Sequence, residues 1–223
     1  MRAVRRFMVP IVTAHCYIGQ CRPDGLAGCG HARAMIHRRR LPARWSEHWT
    51  LADGRRLLLR PIDPRDAEPL RAAFTLLTPE ERRMRFLSPI NEMSPAMAER
   101  LTRLDPRREF ALVVAEPEPP GEALIGAVVR AALDADAPRA EFALLVIHLL
   151  SRQGIGSLLL RTLLRWARLK RLQAVYGDVL IENTAMLALC DGLGFRRRPA
   201  PEPGQVRVEW RPERRSSALH SAP

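Results

Sequence analysis

The sequence predicts an α/β (α+β) fold: one mixed, mostly antiparallel sheet of six to seven strands, with helices on both faces and a single parallel strand pair. Three observations carry this. Three apolar runs between Glu109 and Leu150 are joined only by short turns rich in Pro, Gly and Asp, which makes them antiparallel neighbours. A glycine-bearing junction then opens a long amphipathic helix that leads into a further strand, and a helical crossover of that kind sets the strands on either side of it parallel. A strand and helices come before this block, and a helix and a strand follow it.

The elements follow in order. "TLADGRRLLLRPI" turns at Asp53 and Gly54 and continues as a β-type run ending at Pro61. "DPRDAEPLRAAFTLL" begins with a capping Asp63 and with Pro64 in the first helical position, and Ala67, Leu70, Phe74 and Leu77 recur at helical spacing. Thr78, Pro79 and Glu81 open a second helix, and Ser94 with Pro95 opens a third that runs to Leu104. "EFALVVAE", "LIGAVVRAAL" and "RAEFALLVIHLL" are the three successive strands. The long helix spans Gly154 to Lys170, with Ile155, Leu158, Leu159, Leu163 and Trp166 on one stripe. "QAVYGDVLI" is the strand after the crossover. "ENTAMLALCDGLGF" is a short helix capped by Asn183 and stopped by Gly194, and "QVRVEW" is the last strand.

A chain of 223 residues that is 47% hydrophobic can bury one substantial core. We expect one domain over 46–211, an Arg-rich leader over 1–45 that is disordered or precedes a true start at Met35, and a flexible tail over 212–223. A leader of that length is too short for a fused cyclic-nucleotide or synthetase-like sensor. The formal charge of +12 does not describe the domain. Of 36 basic residues, nine lie in 1–45 and seven in 196–223, and of 24 acidic residues one and three lie there, leaving 20 of each between them. A neutral core with 5% aromatics argues against a nucleic-acid groove. Cys16, Cys21 and Cys29 crowd the leader beside His15 and His31 without paired C-x-x-C knuckles, so no metal is expected. The start has a basic region and a short apolar stretch, but Pro10 and His15 interrupt it and more arginine follows. No run reaches the ~20 apolar residues a membrane span requires. The expectation is a cytoplasmic protein without a membrane partner.

At "SRQGIGS" the chain places two glycines and a cation between strand and helix. Glycines there let backbone N–H groups approach a ligand, and a helix N-terminus adds partial positive charge. A packing turn would look the same. The Rossmann fingerprint needs a third glycine and the P-loop needs a Gly-Lys-Ser/Thr ending, and neither is present.

In this context the chain resembles the GNAT superfamily of N-acetyltransferases, whose signature Q/R-x-x-G-x-G/A lies between the fourth strand and the next helix. The resemblance covers roughly 50–198. "LRPIDPRDAEPL" looks like the family's first strand and helix, and "NTAMLALCDGLGF" looks like its N-x-x-A-x-x-L-x-x-x-L-G-F segment. "DPRREFALVV" with "RAEFALLV" is similar to Pat-type bacterial protein lysine acetyltransferases. The resemblance implies acetyl-coenzyme A as co-substrate, lying where the two parallel strands splay apart. It implies that Arg152, Gln153, Gly154, Ile155, Gly156 and Ser157 cradle the pyrophosphate, that the backbone of Val146, Ile147 and His148 pairs with the pantetheine arm, and that Asn183 touches it. Asn183 would equally cap a helix with no ligand. The signature's first Q/R is Ser151 here, so a phosphate donor is shortened, with Arg152 next door.

Acetyl transfer needs a neutral amine. A lysine of pKa ~10.4 at pH 7 lies about 3.4 units from neutrality, a cost of roughly 4.6 kcal/mol. A carboxylate in reach can take that proton. Glu141 stands where many superfamily members place a glutamate base, and it would otherwise be a strand-end residue paired with Arg139. His148 is a second candidate, although an odd interval of seven residues puts it on the opposite face of a regular strand. The N–H of Val146 or Ile147 could stabilise the oxygen of the attacked thioester. Many members carry a tyrosine seven residues after the asparagine as the acid. Cys190 occupies that position and is read as a core residue, which leaves the acid unassigned.

The expected activity is acetyl transfer by direct attack in a ternary complex. The leading acceptor is a lysine of an acyl-coenzyme A synthetase-like protein. A small amine or a protein N-terminus is the alternative, and a module that binds coenzyme A without turnover is a further one. Oligomeric state is not legible.

Overall fold

The computed structural model describes residues 45–87 and 90–212. The leader and tail expected at the two ends, and the cysteines of the leader, lie outside the described residues apart from the last residue of one and the first of the other. The helices are α1 (Ala67–Thr75), α2 (Pro79–Phe86), α3 (Pro95–Thr102), α4 (Ile155–Leu169) and α5 (Thr184–Gly192). The strands are β1 (Glu47–Thr50), β2 (Arg56–Pro61), β3 (Glu109–Ala115), β4 (Ile125–Leu133), β5 (Arg139–Val146), β6 (Ala174–Leu180), β7 (Arg196–Pro199) and β8 (Gln205–Trp210). The described strands form one sheet in the order β1-β2-β3-β4-β5-β6-β8-β7, in which only β5 and β6 run parallel. None of the described helices is long and apolar enough to cross a membrane.

The sheet has eight described strands against the expected six to seven, and β1 and β7 have no inward-facing apolar stripe to announce them. β7 is "RRRP", exposed at every position on the sheet's outer edge, and β1 is nearly as exposed at the other edge. Pairing with β2 and β8 holds them, not burial. The other difference is in the third strand of the central block. It stops at Val146, four residues short of the expected end, and His148–Leu150 forms a 3-10 turn.

The sheet has two unlike faces. Phe110 of β3 stacks on Trp166 of α4 with ring centroids 4.9 Å apart, which fixes one face as apolar and covered by α4. On the opposite face Arg130 of β4 donates from Nη1 to the carbonyl of Leu101 in α3 at 2.7 Å, so α1, α2 and α3 lie on that side. Register then places Glu141 there too. It pairs with Ala132, two residues from Arg130, and alternation along β4 keeps 130 and 132 on one face.

The first helices start as the caps predict. The Thr78 hydroxyl accepts from the Glu81 N–H, and the Glu81 carboxylate accepts from the Thr78 N–H. Ser94 caps α3 through the N–H of Met97. Ahead of α1, the short turn Pro64–Asp66 buries Asp66 completely against Arg60 of β2, whose guanidinium reaches both carboxylate oxygens at 2.6 and 2.9 Å. Asp66 also accepts from the N–H of Asp63 and of Gly121, so one carboxylate ties β2, the turn and the β3–β4 connection together. Asp66→Ala strands a buried guanidinium, and we expect a loss of about 3–5 kcal/mol in urea unfolding. The double variant Arg60→Met/Asp66→Leu should recover most of it.

Candidate functional site

The parallel pairing of β5 with β6 lasts for three residue pairs, Arg139 with Ala174, Ala140 with Val175 and Glu141 with Tyr176. Beyond them each strand keeps its outer partner, β5 on β4 up to Val146 and β6 on β8 up to Leu180, and the two part. The point of parting is filled by Phe142. Its ring lies 5.4 Å from that of Phe195, and its carbonyl and ring sit where a side chain at Gly177 would begin, 2.9 and 3.0 Å from a Cβ built there. Gly177 is therefore a close-approach glycine.

The gap opens into a cleft of about 550 Å³ bounded by β5, β6, α2, α5 and the first turn of α4. Amide direction alternates along a strand. The Ile147 N–H donates to Gly126 of β4 at 3.0 Å, so the amides of Val146 and Leu144 point the other way, into the gap. This separates the expected backbone positions. Val146 lines the cleft, whereas Ile147 is spent on β4 and the His148 N–H donates to Glu81 of α2 at 2.7 Å. Ile147 and His148 do not line the cleft, Ile147 because alternation turns its amide to β4 and His148 because the chain has left the strand. The parity argument for the His148 side chain lapses with it. That side chain is exposed, with Nδ1 3.5 Å from Glu81.

The junction is shaped by two different glycine requirements. Gly154 precedes α4 with φ +80°, in the left-handed region that side chains resist. Gly156 has an ordinary φ but faces Leu189 of α5, 3.0 Å from where its Cβ would lie. No side chain caps α4 and its first turn carries no acidic residue. The N-terminal amides of a 15-residue helix therefore face the cleft without a side-chain acceptor, which suits an anion. Arg152, Gly154, Ile155, Gly156 and Ser157 line this end. Gln153 turns aside to the carbonyl of Leu149, and Ser151 hydrogen-bonds the carbonyl of Ile147. Asn183 both caps α5, accepting from the Met186 N–H at 3.1 Å, and lines the cleft. Cys190 is fully buried, and burial pushes its thiol up to about 12, as a core residue requires.

At the opposite end stands Glu141, half-buried on the cleft wall at the last paired position. Burial, reinforced by the nearby Asp178 carboxylate, pushes its carboxyl up to about 7, with Arg207 opposing. Arg207 is itself claimed by Asp178 through two hydrogen bonds of 2.8 and 2.7 Å. The Tyr176 hydroxyl donates to Asp134 at 2.8 Å, and burial raises its pKa. The alternative pairing of Glu141 with Arg139 does not form: Arg139 pairs with Asp134 at 2.9 Å. A carboxyl that titrates near 7 suits proton abstraction at physiological pH.

Sequence reasoning did not place Glu81, Met84 and Arg85 of α2, or Leu87 just beyond it, in the cleft. The Thr-Pro-Glu-Glu start announces the helix but not its neighbour, since the contact from Glu81 to His148 spans 67 positions.

Comparisons with known proteins agree with this architecture. A family model described as the acetyltransferase (GNAT) domain matches residues 56–196. An acetyltransferase of Pseudomonas aeruginosa is 32% identical over 158 residues, 70% of this chain and 84% of that protein. Among solved structures, the GNAT domain of S. lividans PAT superposes with a TM-score of 0.67 at 28% identity, covering 77% of this chain and 99% of that one. A cAMP-binding acyltransferase from Mycobacterium smegmatis superposes with a TM-score of 0.50 at 26% identity, and this chain spans 47% of its length. The glycine-bearing helix start, the parting parallel strands and these matches together identify the chain as a member of the GNAT family, an acyl-CoA-dependent N-acetyltransferase.

Proposed function

We propose that the protein moves the acetyl group of acetyl-CoA onto a primary amine, with a protein lysine as the leading acceptor. One observation carries this reading: a single cleft has an uncapped helix N-terminus at one end and a carboxyl poised near neutrality at the other. The resemblance of "DPRREFALVV" and "RAEFALLV" to Pat-type protein lysine acetyltransferases supports the lysine acceptor.

Each residue then has a task. The amides of Gly154, Ile155, Gly156 and Ser157 take the pyrophosphate, with Arg152 supplying the cation that Ser151 cannot. The open edge of β5 at Leu144 and Val146 pairs with the pantetheine arm as a neighbouring strand would. Glu141 accepts a proton from the acceptor ammonium, directly or through a water. The freed lone pair attacks the thioester carbon, and the N–H of Val146 faces the oxygen on which charge collects. The carbon–sulfur bond breaks, the sulfur leaves as the coenzyme thiolate, and the surplus proton of the new amide nitrogen passes to it through solvent.

Glu141→Gln should lower kcat/KM for acetyl transfer by at least ~10²-fold while acetyl-CoA binding measured by calorimetry is retained. In the wild type kcat/KM should rise with pH and level off above about 7, a limb that the variant lacks. Unchanged turnover in Glu141→Gln would remove the residue from the mechanism.

The same carboxyl has a stability signature. Its pKa is about 7 in the fold against an ordinary 4.5, so the folded chain holds the proton more tightly. The contribution of Glu141 to stability thus falls as pH climbs from about 4.5 through about 7, then stays level. Thermal unfolding should show Glu141→Gln gaining more over wild type at pH 8 than at pH 5.

A further inference from the structure

The cleft contains a second charged group for which acetyl transfer as described has no use. Arg85, in the last turn of α2, lines it together with Glu141. Its Nη1 is shut off from solvent and has no hydrogen-bond partner among the described residues. Its guanidinium carbon sits 4.8 Å from the centroid of the Phe86 ring, a contact that supports one face of the group while Nη1 stays without an acceptor.

Three other guanidiniums of this fold carry strong partners, although the Nε atoms of Arg60, Arg82 and Arg130 are likewise buried without a hydrogen bond among the described residues. Arg60 is held by both oxygens of Asp66, Arg207 by both oxygens of Asp178, and Arg130 by the carbonyl of Leu101 and, at 3.6 Å, by Glu109. Arg85 has no carboxylate within ion-pair distance among the described residues, although Glu141 lies close enough to influence its titration. Arg85 is half-buried, and a guanidinium partly withdrawn from water without a counter-charge is destabilising. Nearby Arg130 adds repulsion. A close pair with Glu141 would relieve Arg85 but would hold that carboxylate ionised and weaken it as a base.

The missing counter-charge is therefore expected from a bound molecule. Within the reading above, the coenzyme pyrophosphate is accounted for at the start of α4. Glu141 stands on the sheet face covered by α1 to α3, the side on which α2 carries Arg85. A group that meets Arg85 while an amine meets Glu141 belongs to the acceptor. The planar fork of a guanidinium fits a carboxylate through two parallel hydrogen bonds.

We propose that Arg85 is a specificity-determining residue that binds a carboxylate carried by the acyl acceptor close to its amine. This rests on the acetyltransferase reading given above and names the acceptor's chemistry. The carboxylate has two possible sources, an acidic side chain flanking the acceptor lysine in a protein or the α-carboxylate of a free amino acid.

The test is steady-state acetylation by the full chain with acetyl-CoA and matched acceptors: a lysine peptide flanked by Asp or Glu, its Asn or Gln twin, free lysine, and an alkylamine without a carboxylate. We expect kcat/KM to favour a carboxylate-bearing acceptor over its neutral counterpart by about 30-fold, chiefly through KM, as a charged hydrogen bond predicts. Which pair shows the preference identifies the source. Arg85→Gln should bring that ratio close to one, Arg85→Lys should keep part of it, and Arg85→Glu should favour a lysine flanked by basic residues. A loss of folding would lower both members of a pair together, so the ratio separates recognition from damage. Turnover with no preference in either pair, or a preference that survives in Arg85→Gln, overturns the proposal and leaves the acetyltransferase reading intact. Failure of every acceptor, with acetyl-CoA still bound, overturns both.

Discussion

The site depends on two parallel strands that hold each other for three residue pairs and then part. Parallel pairing is normally continued because each unpaired amide in a sheet interior is a lost hydrogen bond. Here the cost is limited by the outer partners, since β4 and β8 keep β5 and β6 extended after they separate. Phe142 stands where they separate. Its ring and carbonyl occupy the space over Gly177, and packing against Phe195 fixes it in place. The amides of Leu144 and Val146 are left facing a gap in which only an extended, polar-edged molecule satisfies them.

The parting also sets the electrostatics. Glu141 is at the last position of the pairing, where it has neither the solvent of an edge nor the ion pair of a core carboxylate. Two of the surrounding arginines are engaged elsewhere, Arg207 by Asp178 and Arg139 by Asp134, and Arg85 stands beyond ion-pair distance. A carboxyl that could have been held low is thus left to burial, which raises it. The same arrangement makes Glu141 useful as a base and costly to the fold. Local stability is traded for a proton acceptor near pH 7.

Much of this was legible in the sequence, and the exceptions have physical reasons. Gly154 and Gly156 could be read as a strand-to-helix junction, and Thr78, Ser94 and Asn183 as caps, because capping and backbone conformation are local. The parallel pair followed from the helical crossover. Edge strands β1 and β7 were not legible, because strands held by pairing alone carry no alternating apolar pattern. The strand end at Val146 was hidden inside the apolar run "LLVIHLL", and with it the fact that Ile147 and His148 turn their amides to Gly126 and Glu81. The part played by α2 could not be read, since it depends on contacts between distant parts of the chain.

The crystal structure of the complex with acetyl-CoA is the most direct test of the claim that the parted strands seat the coenzyme. The account predicts the pyrophosphate within hydrogen-bond distance of the amides of residues 154–157, and the pantetheine arm along the open edge of β5 at Leu144 and Val146, with the thioester oxygen toward the Val146 N–H. A coenzyme bound elsewhere, with the gap between β5 and β6 empty, would contradict it.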